Sequence, residues 1–584
     1  MPDSKKPITN CHTHIFIGES VPPYLAKTFL IYPLYKLVNI GIILKICRWW
    51  FLNKKTSPRQ WKHKGWFKKM QEFFVAWRTF IHRYLIIDRL ITFINVVIVY
   101  HAIFYFSEWV LGLFIRPDSN TEKSILSVIN WLKEKHLLWV NPGALVKITV
   151  TLFAMLFIEY GRKLMFFLLK KLWSFLSILP NKKTIEFIGR YVNIGRFAYY
   201  RKQAKLFDRL KDQYPSGTRF IILPMDMEFM EAGKIPVAGN FETQMRELAQ
   251  LKIRAGYKDL IHPFVFADPR RTMVGTKPFF AWEHDNKGNV MLQPCFIKEY
   301  IEQLNFSGFK IYPALGYYPF DETLLPLWKY AADKKLPVLT HTIRGTIYYR
   351  GAKRKEWNHH PVFEQINARG KRSKLLLPEL KNIEFINNFT HPLNYLCLVE
   401  ERLLRLVVGK ASEKIKALFG YNGEDYPMNH DLSHLKLCFG HFGGDDEWKT
   451  FFEKDRDNYT SQIETKPATG LAFLSNGPIG NSMNRLEQIW KDVDWYSIIC
   501  SMMLQYKNLY ADISYILHDE EILPLLKKTL QHPELSKKVL YGTDFYVVRN
   551  HKSEKEMLAD MQAGLSEKEF DQIARDNPAE FLNV

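Results

Sequence analysis

His12 and His14 are the residues of this sequence whose type and spacing most clearly suggest metal chemistry. They lie in the segment TNCHTHIF at residues 9–16, which predicts a β-strand. Side chains two positions apart along a strand point to the same face, so both imidazoles are expected on one side. Neutral imidazole is a good ligand for zinc, iron, nickel or copper. The pair therefore predicts half of a metal site, although such a pair without further support is more often incidental.

Four later segments supply that support, because each ends an apolar run at a side chain capable of metal binding or acid–base chemistry. They are GFKIYP at 308–313, LPVLTHT at 336–342, LKLCFGHFGG at 435–444 and VLYGTDF at 539–545. Short apolar runs predict strands buried on both faces, as in a parallel sheet. Helical stretches such as 321–334 lie between them. Repeated strand–helix units with ligands at the strand ends predict an α/β (β/α)8 TIM barrel with its site on the top face.

The ordered set of motifs resembles the amidohydrolase superfamily, and within it the branch that includes aminocarboxymuconate-semialdehyde decarboxylase. The matching pieces are HTH at 12–14, FADPRR at 266–271, GFKIYP at 308–313, VLTH at 338–341, CFGHFGG at 438–444, YADIS at 510–514, LYGTD at 540–544 and NPAEFL at 577–582. The resemblance covers residues 7–18 and roughly 218–584. It implies a metal-dependent barrel enzyme.

Three imidazoles and one carboxylate, from His12, His14, His341 and Asp544, would bind a divalent metal and leave room for water. We expect zinc, as one or two ions. The resemblance implies that Asp544 also receives the proton of the activated water. Two roles stay open for His441: ligand of a second metal, as in hydrolytic members, or acid–base catalyst beside a single metal. Lys310 is either a carboxylated lysine bridging two metals or a lysine facing solvent or substrate.

Three residues on the top loops are expected to contact the substrate: Tyr312, Tyr317 and Arg344. The planar fork of an arginine binds carboxylate or phosphate groups through two parallel hydrogen bonds, which suits Arg344 to an anionic substrate group. Gly443 and Gly444, directly after His441, would permit a turn with positive φ and a close approach of the backbone.

About two hundred residues separate the first strand from the next barrel strand, and a loop of that length predicts a subdomain. We therefore divide the chain into 1–19, the first barrel strand; 20–217, a mainly helical insert; and 218–584, the rest of the barrel. The chain carries 81 Lys and Arg against 60 Asp and Glu, a net charge of +21. Residues 20–217 hold 32 basic and 10 acidic side chains, so the insert is strongly basic and the barrel nearly neutral.

The insert is also apolar. Residues 91–107 contain no charged side chain, and residues 137–158 contain only Lys147. Both stretches approach the roughly 20 apolar residues that a membrane span requires. Flanking basic and aromatic residues suit anionic membrane lipids, and their distribution predicts an active site facing the cytoplasm. Crossing helices at about 90–115 and 137–160 and helices lying in the interface both remain open.

Two other interpretations of the insert fit part of this pattern. The apolar stretches could be buried helices of a large soluble subdomain. A nucleic-acid surface is disfavoured, because basic patches with aromatic residues suit nucleic acids but need no long uncharged stretches. The six cysteines show no C-x-x-C spacing, which favours a reducing compartment.

Together these patterns predict a membrane-associated, metal-dependent hydrolase that activates water to cleave a C–N or C–O bond in a small-molecule substrate. The alternative within enzymes is a non-oxidative decarboxylase with one metal. A catalytically inactive, membrane-anchored scaffold is the alternative outside enzymes, and the retention of every ligand position argues against it. The sequence predicts neither the substrate nor the oligomeric state.

Overall fold

The computed structural model describes residues 5–30, 32–53, 65–114, 120–139, 143–158, 163, 182–345, 347–366, 370–377, 382–453 and 461–584. The chain divides into two compact units. The barrel unit comprises Met1–Arg48 and Phe187–Val584, and the insert unit comprises Trp49–Glu186. These units are defined by packing. Residues 20–217 remain the predicted extent of the insertion in the sequence.

Eight parallel strands form the centre of the barrel unit. In chain order they are β1 (Thr9–Thr13), β2 (Arg219–Ile222), β3 (Ile261–Phe266), β4 (Gly308–Lys310), β5 (Val338–Ile343), β6 (Leu437–Gly443), β7 (Leu509–Asp512) and β8 (Val539–Leu540). Each strand pairs with the next one in this order. The backbone N–H of Cys11 donates to the Tyr541 carbonyl, and that of Asp544 donates to the His12 carbonyl, each over 2.8 Å. These bonds join the two ends of the sheet, so the predicted TIM barrel is confirmed.

The apolar runs form these strands because both of their faces are covered, as in β6, where every residue is buried. Helices surround the sheet on its outside, and short hairpins occupy several loops. The longer helices after β2 are Phe241–Ile253, Leu325–Asp333, Asn382–Thr390, Glu401–Val408, Glu413–Phe419, Asp445–Glu453, Gly480–Asp492, Trp495–Gln505, Leu523–Gln531 and Glu554–Gly564. The hairpins are Met273–Val274 with Lys277–Pro278, Trp282–His284 with Val290–Leu292, and His359–Ile366 with Arg372–Leu376.

The insertion between β1 and β2 is helical where the structure describes it. Its helices are α1 (Leu34–Leu37), α2 (Ile40–Asn53), α3 (Gly65–Arg83), α4 (Leu85–Phe114), α5 (Asn120–Glu134), α6 (Ala144–Phe157), α7 (Lys182–Phe197) and α8 (Gln203–Lys211). In the barrel unit, the Arg48 guanidinium of α2 donates to the Ala198 carbonyl and pairs with Glu19. The two flanks of the insertion are thereby fastened to each other.

The insert unit packs α4 against α5 and α6 through two small clusters of apolar side chains. Among the described residues, one helix segment, Leu85–Phe106, is long and apolar enough to cross a membrane by length and composition, and only 11% of it is buried. Helix α6 has 14 residues, which corresponds to about 21 Å at 1.5 Å per residue. Residues 164–179, a further apolar stretch of the sequence, lie outside the described residues.

Candidate metal centre

His12 lies on β1 and is held from one side by a buried carboxylate. Its ring Nδ1 donates a hydrogen bond to Asp512 Oδ2 over 2.9 Å, and neither side chain is exposed to solvent. An ionised carboxylate only accepts, so the proton is on Nδ1 and the lone pair is on Nε2. Within the part of the chain that the structure describes, His12 Nε2 has no hydrogen-bond partner. It is therefore a buried acceptor that a metal ion could use.

His14, two residues further along, has the same arrangement with a different partner. Its Nδ1 donates to the carbonyl of Leu223 over 2.8 Å, so its lone pair is also on Nε2. Asp544 Oδ1 lies 3.2 Å from His14 Nε2 and 3.9 Å from His12 Nε2. Ligand atoms of these three residues lie within 4.8 Å of one another. They are close enough to share one metal ion.

His341, near the end of β5, is hydrogen-bonded to His441 of β6. His441 Nδ1 lies 2.9 Å from the Ser514 hydroxyl and 3.3 Å from the Ser514 carbonyl, and a carbonyl only accepts. The neutral His441 ring therefore donates at Nδ1 and accepts at Nε2, from His341 Nδ1 over 2.9 Å. That leaves the lone pair of His341 on Nε2, which is buried and has no partner among the described residues.

His12, His341 and His441 are electrically neutral near pH 7. Burial lowers the pKa of His12 and His341 well below the usual value; Lys310 adds to the effect at His12, and His441 adds to it at His341. Burial likewise lowers the pKa of His441 to about 3. Neutral imidazole is the form that binds metal, so these rings need no deprotonation before binding.

Lys310, the last residue of β4, is fully buried beside these groups. Its ammonium donates to the Thr340 carbonyl over 3.5 Å. Burial lowers its pKa to about 8, while the nearby Asp512 and Asp544 act in the opposite direction. The amine is thus still mostly protonated at physiological pH, with a minor neutral fraction. Its role as a carboxylated, metal-bridging lysine stays a prediction.

Asp512 and Ser514 are parts of this site to which the sequence interpretation gave no role. Asp512 accepts from His12 Nδ1 and, through its other oxygen, from the backbone N–H of His441 over 3.1 Å. The Ser514 hydroxyl donates to Asp512 and lies 3.1 Å from His12 Nδ1. Asp512 ends the apolar strand β7 as the predicted ligands end theirs, and that signal could have identified it.

The three predicted substrate residues lie in different surroundings. The Tyr312 ring stacks on His341, with 4.0 Å between ring centroids. The Tyr317 hydroxyl accepts from the Tyr312 backbone N–H over 2.9 Å and donates to the Ala267 carbonyl over 3.2 Å. Arg344 pairs with Glu447 at 3.0 Å and lies over the Trp495 ring. Of the three, Tyr312 touches a predicted metal ligand, whereas Tyr317 and Arg344 are engaged in bonds to the scaffold.

The backbone is strained where the site residues leave their strands. His441, Tyr515 and Asp544 have φ values of 68°, 64° and 62°, in a region that residues other than glycine seldom adopt. Such outliers cluster at functional sites, where the surroundings enforce them. Gly443 and Gly444 also have positive φ, at 86° and 95°, as the sequence predicted. A Cβ on Gly444 would lie 2.6 Å from Ile343 Cγ1, so this position requires glycine.

Comparison with known proteins gives matches in structure but not in sequence. No protein-family profile and no curated protein matches the sequence. One similar solved structure is a dihydroxybenzoic acid decarboxylase from Polaromonas, with bound manganese, at 12% identity over 70% of this chain and 91% of that one, TM-score 0.33. A second is 4-oxalomesaconate hydratase from Rhodopseudomonas palustris, at 10% identity over 65% and 80%, TM-score 0.30.

A third similar structure is an amidohydrolase from Mycobacterium avium subsp. paratuberculosis, at 14% identity over 66% of this chain and 75% of that one, TM-score 0.30. At such identities and TM-scores no activity can be transferred from these proteins to this chain. Any functional assignment therefore has to come from the site itself.

Proposed function

We propose that this chain is a metal-dependent hydrolase of the amidohydrolase superfamily that cleaves a C–N or C–O bond in a small-molecule substrate. One observation carries the proposal: His12, His14 and His341 each use Nδ1 for a hydrogen bond inside the protein, and each thereby keeps its Nε2 lone pair for a ligand. Buried acceptors without donors are costly, which argues that the site is built for a cation.

The donor set fits a divalent ion, and we propose zinc. Three imidazoles with the Asp544 carboxylate form a set typical of catalytic zinc sites, which keep one position open. When bound, the ion supplies Lewis acidity, which lowers the pKa of water to near neutrality. The partners of the imidazole Nδ1 atoms, Asp512 and the Leu223 carbonyl, fix the rings in the ligand orientation.

The protein groups account for the movement of protons. Asp544 Oδ1 lies 3.2 Å from His14 Nε2, so its carboxylate is placed to take up a proton from a water molecule at the site. His441 is held from both sides, at Nδ1 by Ser514 and at Nε2 by His341. An imidazole bonded in this way can pass a proton between its neighbours, which suits an acid–base role better than that of a second metal ligand.

The engagement of His441 also supports the alternative, a non-oxidative decarboxylase with a single ion. In that reaction His441 would first take up a proton and then donate it to the carbon that loses carbon dioxide. The hydrolase version with two ions needs Lys310 to bridge them after carboxylation. Anomalous scattering from crystals of the full-length protein grown with zinc separates the versions. Two ions with a modified Lys310 support the hydrolase, and one ion with unmodified Lys310 supports the decarboxylase.

The metal site itself is tested by elemental analysis of the purified full-length protein. We expect one or two divalent ions per chain, and we expect His12→Ala combined with Asp544→Ala to remove most of them. His434→Ala, a change at an exposed histidine of the barrel unit, is the matched control and should leave the metal content unchanged. If the double variant retains the metal of the wild-type protein, the site assignment is wrong.

We further propose that the insert unit binds anionic membrane lipids and holds the enzyme at the cytoplasmic face of a membrane. Large apolar side chains of α3 and the first half of α4 are exposed, among them Phe73, Trp77, Ile86 and Phe93. Phe73 and Trp77 stack on each other, and Trp77 stacks on Phe80, so the aromatic residues of α3 form a continuous row. Exposed apolar surface of this extent marks an interaction site.

The positive charge of the insertion favours anionic lipids as its binding partner. Its excess of basic residues attracts anionic headgroups, and exposed aromatic rings are favoured at the level of those headgroups. Full-length protein should float with vesicles of phosphatidylglycerol and phosphatidylcholine, and more weakly with phosphatidylcholine alone. Phe73→Ser with Trp77→Ser should reduce the bound fraction, whereas Tyr426→Ser, at an exposed tyrosine of the barrel unit, should not. Protein that remains soluble with both kinds of vesicle would overturn the proposal.

A further inference from the structure

The loop after β8 carries Asp544, and strand β1 holds the beginning of this loop. The backbone N–H of Asp544 donates to the His12 carbonyl, and the backbone N–H of His14 donates to the Phe545 carbonyl. Asp544 has a left-handed φ of 62°, which residues other than glycine seldom adopt. Such a conformation persists when the surrounding structure enforces it on both sides. The residues after Phe545 are therefore relevant to the position of Asp544.

Helix α7 of the insertion holds that second part of the loop. Asn193 Nδ2 donates to the Tyr546 carbonyl over 2.6 Å and to the Val547 carbonyl over 2.8 Å. Four residues later, Phe197 packs against the Tyr546 ring, with 4.7 Å between ring centroids. Helix positions four residues apart lie on the same face. One face of α7 thus contacts the loop that begins with Asp544.

The side chain of Asn193 serves the loop through its two N–H donors. Asn193 is only 3% exposed, so water does not replace these donors. Its Oδ1 accepts no hydrogen bond within the part of the chain that the structure describes. The bonds to the two carbonyls are therefore what the amide contributes, and a buried carbonyl that loses its donor is costly.

The bonds of Asn193 continue to the predicted metal ligand. The backbone N–H of Val547 donates to the Asp544 carbonyl over 2.8 Å. Asp544 Oδ1 lies 3.2 Å from His14 Nε2, and metal–ligand distances tolerate deviations of only about 0.2 Å. A displacement of the loop would move this carboxylate relative to the imidazole, so the contact with α7 bears on metal binding.

The end of α7 is also fastened to the segment that follows His14. The Arg48 guanidinium donates to the Ala198 carbonyl over 2.6 Å and pairs with Glu19, which lies five residues after His14. The insertion is therefore fixed both to the chain after His14 and to the loop after Asp544. It connects the supports of two predicted ligands of the same metal ion.

We propose that Asn193 is a positioning residue of the metal centre, supplied by the insertion, which holds the Asp544 loop so that its carboxylate can bind the metal. The insertion then supports the metal centre in addition to binding membrane lipids. This inference rests on the proposed function, because Asn193 has this role only if Asp544 is a metal ligand.

The test compares two buried asparagines that form the same kind of hydrogen bonds, in the full-length protein. Asn577 Nδ2 donates to the carbonyls of Ser536 and Val539, each over 2.7 Å, at the beginning of β8 instead of after its end. Asn193→Leu should weaken zinc affinity about tenfold in competition with a chelator, as for other residues that orient ligands. Asn577→Leu, the matched control, should lower the midpoint of thermal unfolding and leave zinc affinity unchanged.

Cobalt(II) bound in place of zinc adds a readout that a loss of stability alone does not change. Its visible absorption depends on the coordination geometry, whereas zinc has a filled d shell. The spectrum of Asn193→Leu should differ from that of the wild type, and the spectrum of Asn577→Leu should match it. Asn193→Ser keeps one donor on a shorter side chain, so its zinc affinity should fall by less than that of Asn193→Leu. Circular dichroism identifies the variants that fold.

The outcomes separate this inference from the proposed function. Wild-type zinc affinity and an unchanged cobalt spectrum in folded Asn193→Leu would overturn the role of Asn193 and leave the metal site standing. Equal losses in Asn193→Leu and Asn577→Leu would overturn it as well, because stability would then explain both. If Asn193→Leu does not fold, the same criteria apply to Asn193→Ser. Failure of the wild-type protein to bind zinc or cobalt would contradict the proposed function itself.

Discussion

At the scale of single residues, the orientation of His12 depends on Asp512. Asp512→Asn keeps an oxygen near His12 Nδ1 but removes the negative charge that holds the Nδ1 proton in place. Loss of such a partner typically weakens metal affinity about 10- to 100-fold. We expect a loss of this size in competition with a zinc chelator. Asp494→Asn is the control: Asp494 is a buried N-cap of the helix Trp495–Gln505, so this change should lower stability but not zinc affinity.

A second residue controls the dependence of stability on pH. Burial raises the pKa of Glu554 to about 7, although Tyr214 and Thr543 donate hydrogen bonds to it and act in the opposite direction. Between its unfolded pKa, about 4.3, and about 7, the folded Glu554 carboxyl group binds more protons than the same group in the unfolded state. The contribution of Glu554 is therefore complete below that range and is lost as pH rises through 7.

Glu554→Gln should remove this loss, because glutamine imitates the protonated carboxyl group at every pH. The midpoint of thermal unfolding of the variant, relative to wild type, should be higher at pH 8 than at pH 5. Glu424→Gln, at an exposed position, should shift the midpoint equally at both pH values. An equal shift for Glu554→Gln would mean that this carboxyl group is already ionised at pH 5.

The sequence indicated candidate site residues where side chains end strands, and the structure brings His12, His14 and Asp544 together there, while their role as metal ligands stays a prediction. His341, His441 and Asp544 were identified because each ends an apolar run, and His12 because it lies two residues before His14. The bonds that orient them could not be predicted, because Asp512 meets His12 only when β7 and β1 are parts of one closed sheet. For the same reason, nothing in the sequence near Arg344 indicated that Glu447, about a hundred residues later, takes up its charge.

At the scale of elements, the turn after β6 fixes the position of His441. Gly444→Ala forces a left-handed φ, which costs about 1–2 kcal/mol, and places a Cβ against Ile343 of β5. We expect lower stability together with reduced zinc content, since β5 also carries His341. Gly256→Ala has a similar φ of 83° but no atom within 4 Å of the added Cβ. Gly256→Ala should therefore lower stability only by the energetic cost of the left-handed φ, and its zinc content should equal that of the wild type. Equal zinc contents in the Gly444→Ala and Gly256→Ala variants would contradict a role for the turn.

The elements themselves were largely predictable, because an apolar run of strand length between helical stretches has few other interpretations. The limits of the insertion were harder to place. Helices α2 and α7 have sequences like the rest of the insertion, yet parts of both belong to the barrel unit. What assigns them there is a set of contacts, such as that of Asn193 with Tyr546, between residues more than three hundred positions apart.

At the scale of the whole molecule, the barrel fixes the parity of any membrane crossings. Strand β1 precedes the insertion and β2 follows it, and the two pair directly. Both ends of the insertion must therefore lie on one side of a membrane, and the number of crossings is even or zero. A hairpin would place α5 on the far side, whereas interfacial helices would leave it on the near side.

Cysteine labelling distinguishes these arrangements. We expect the interfacial one, because α6 is about 21 Å long and a bilayer core is about 30 Å thick. In sealed right-side-out vesicles from cells producing Ser127→Cys, an impermeant thiol reagent should therefore label the exposed position 127 of α5 only after the vesicles are opened. Labelling of sealed vesicles would instead establish a hairpin. Wild-type protein, whose cysteines are mostly buried, provides the background.

The closure of the sheet through β1 also sets the order of events during synthesis. Strand β1 leaves the ribosome first, and its neighbours β2 and β8 follow roughly two hundred and more than five hundred residues later. At about 5–20 residues per second, β1 waits about 10 to 40 s for β2 and longer for β8. Throughout that interval the nascent chain carries His12 and His14 without Asp544, and the apolar insertion is complete by the time β2 leaves the ribosome. The metal centre is thus among the last parts of the molecule to form, and the insertion can reach a membrane before it.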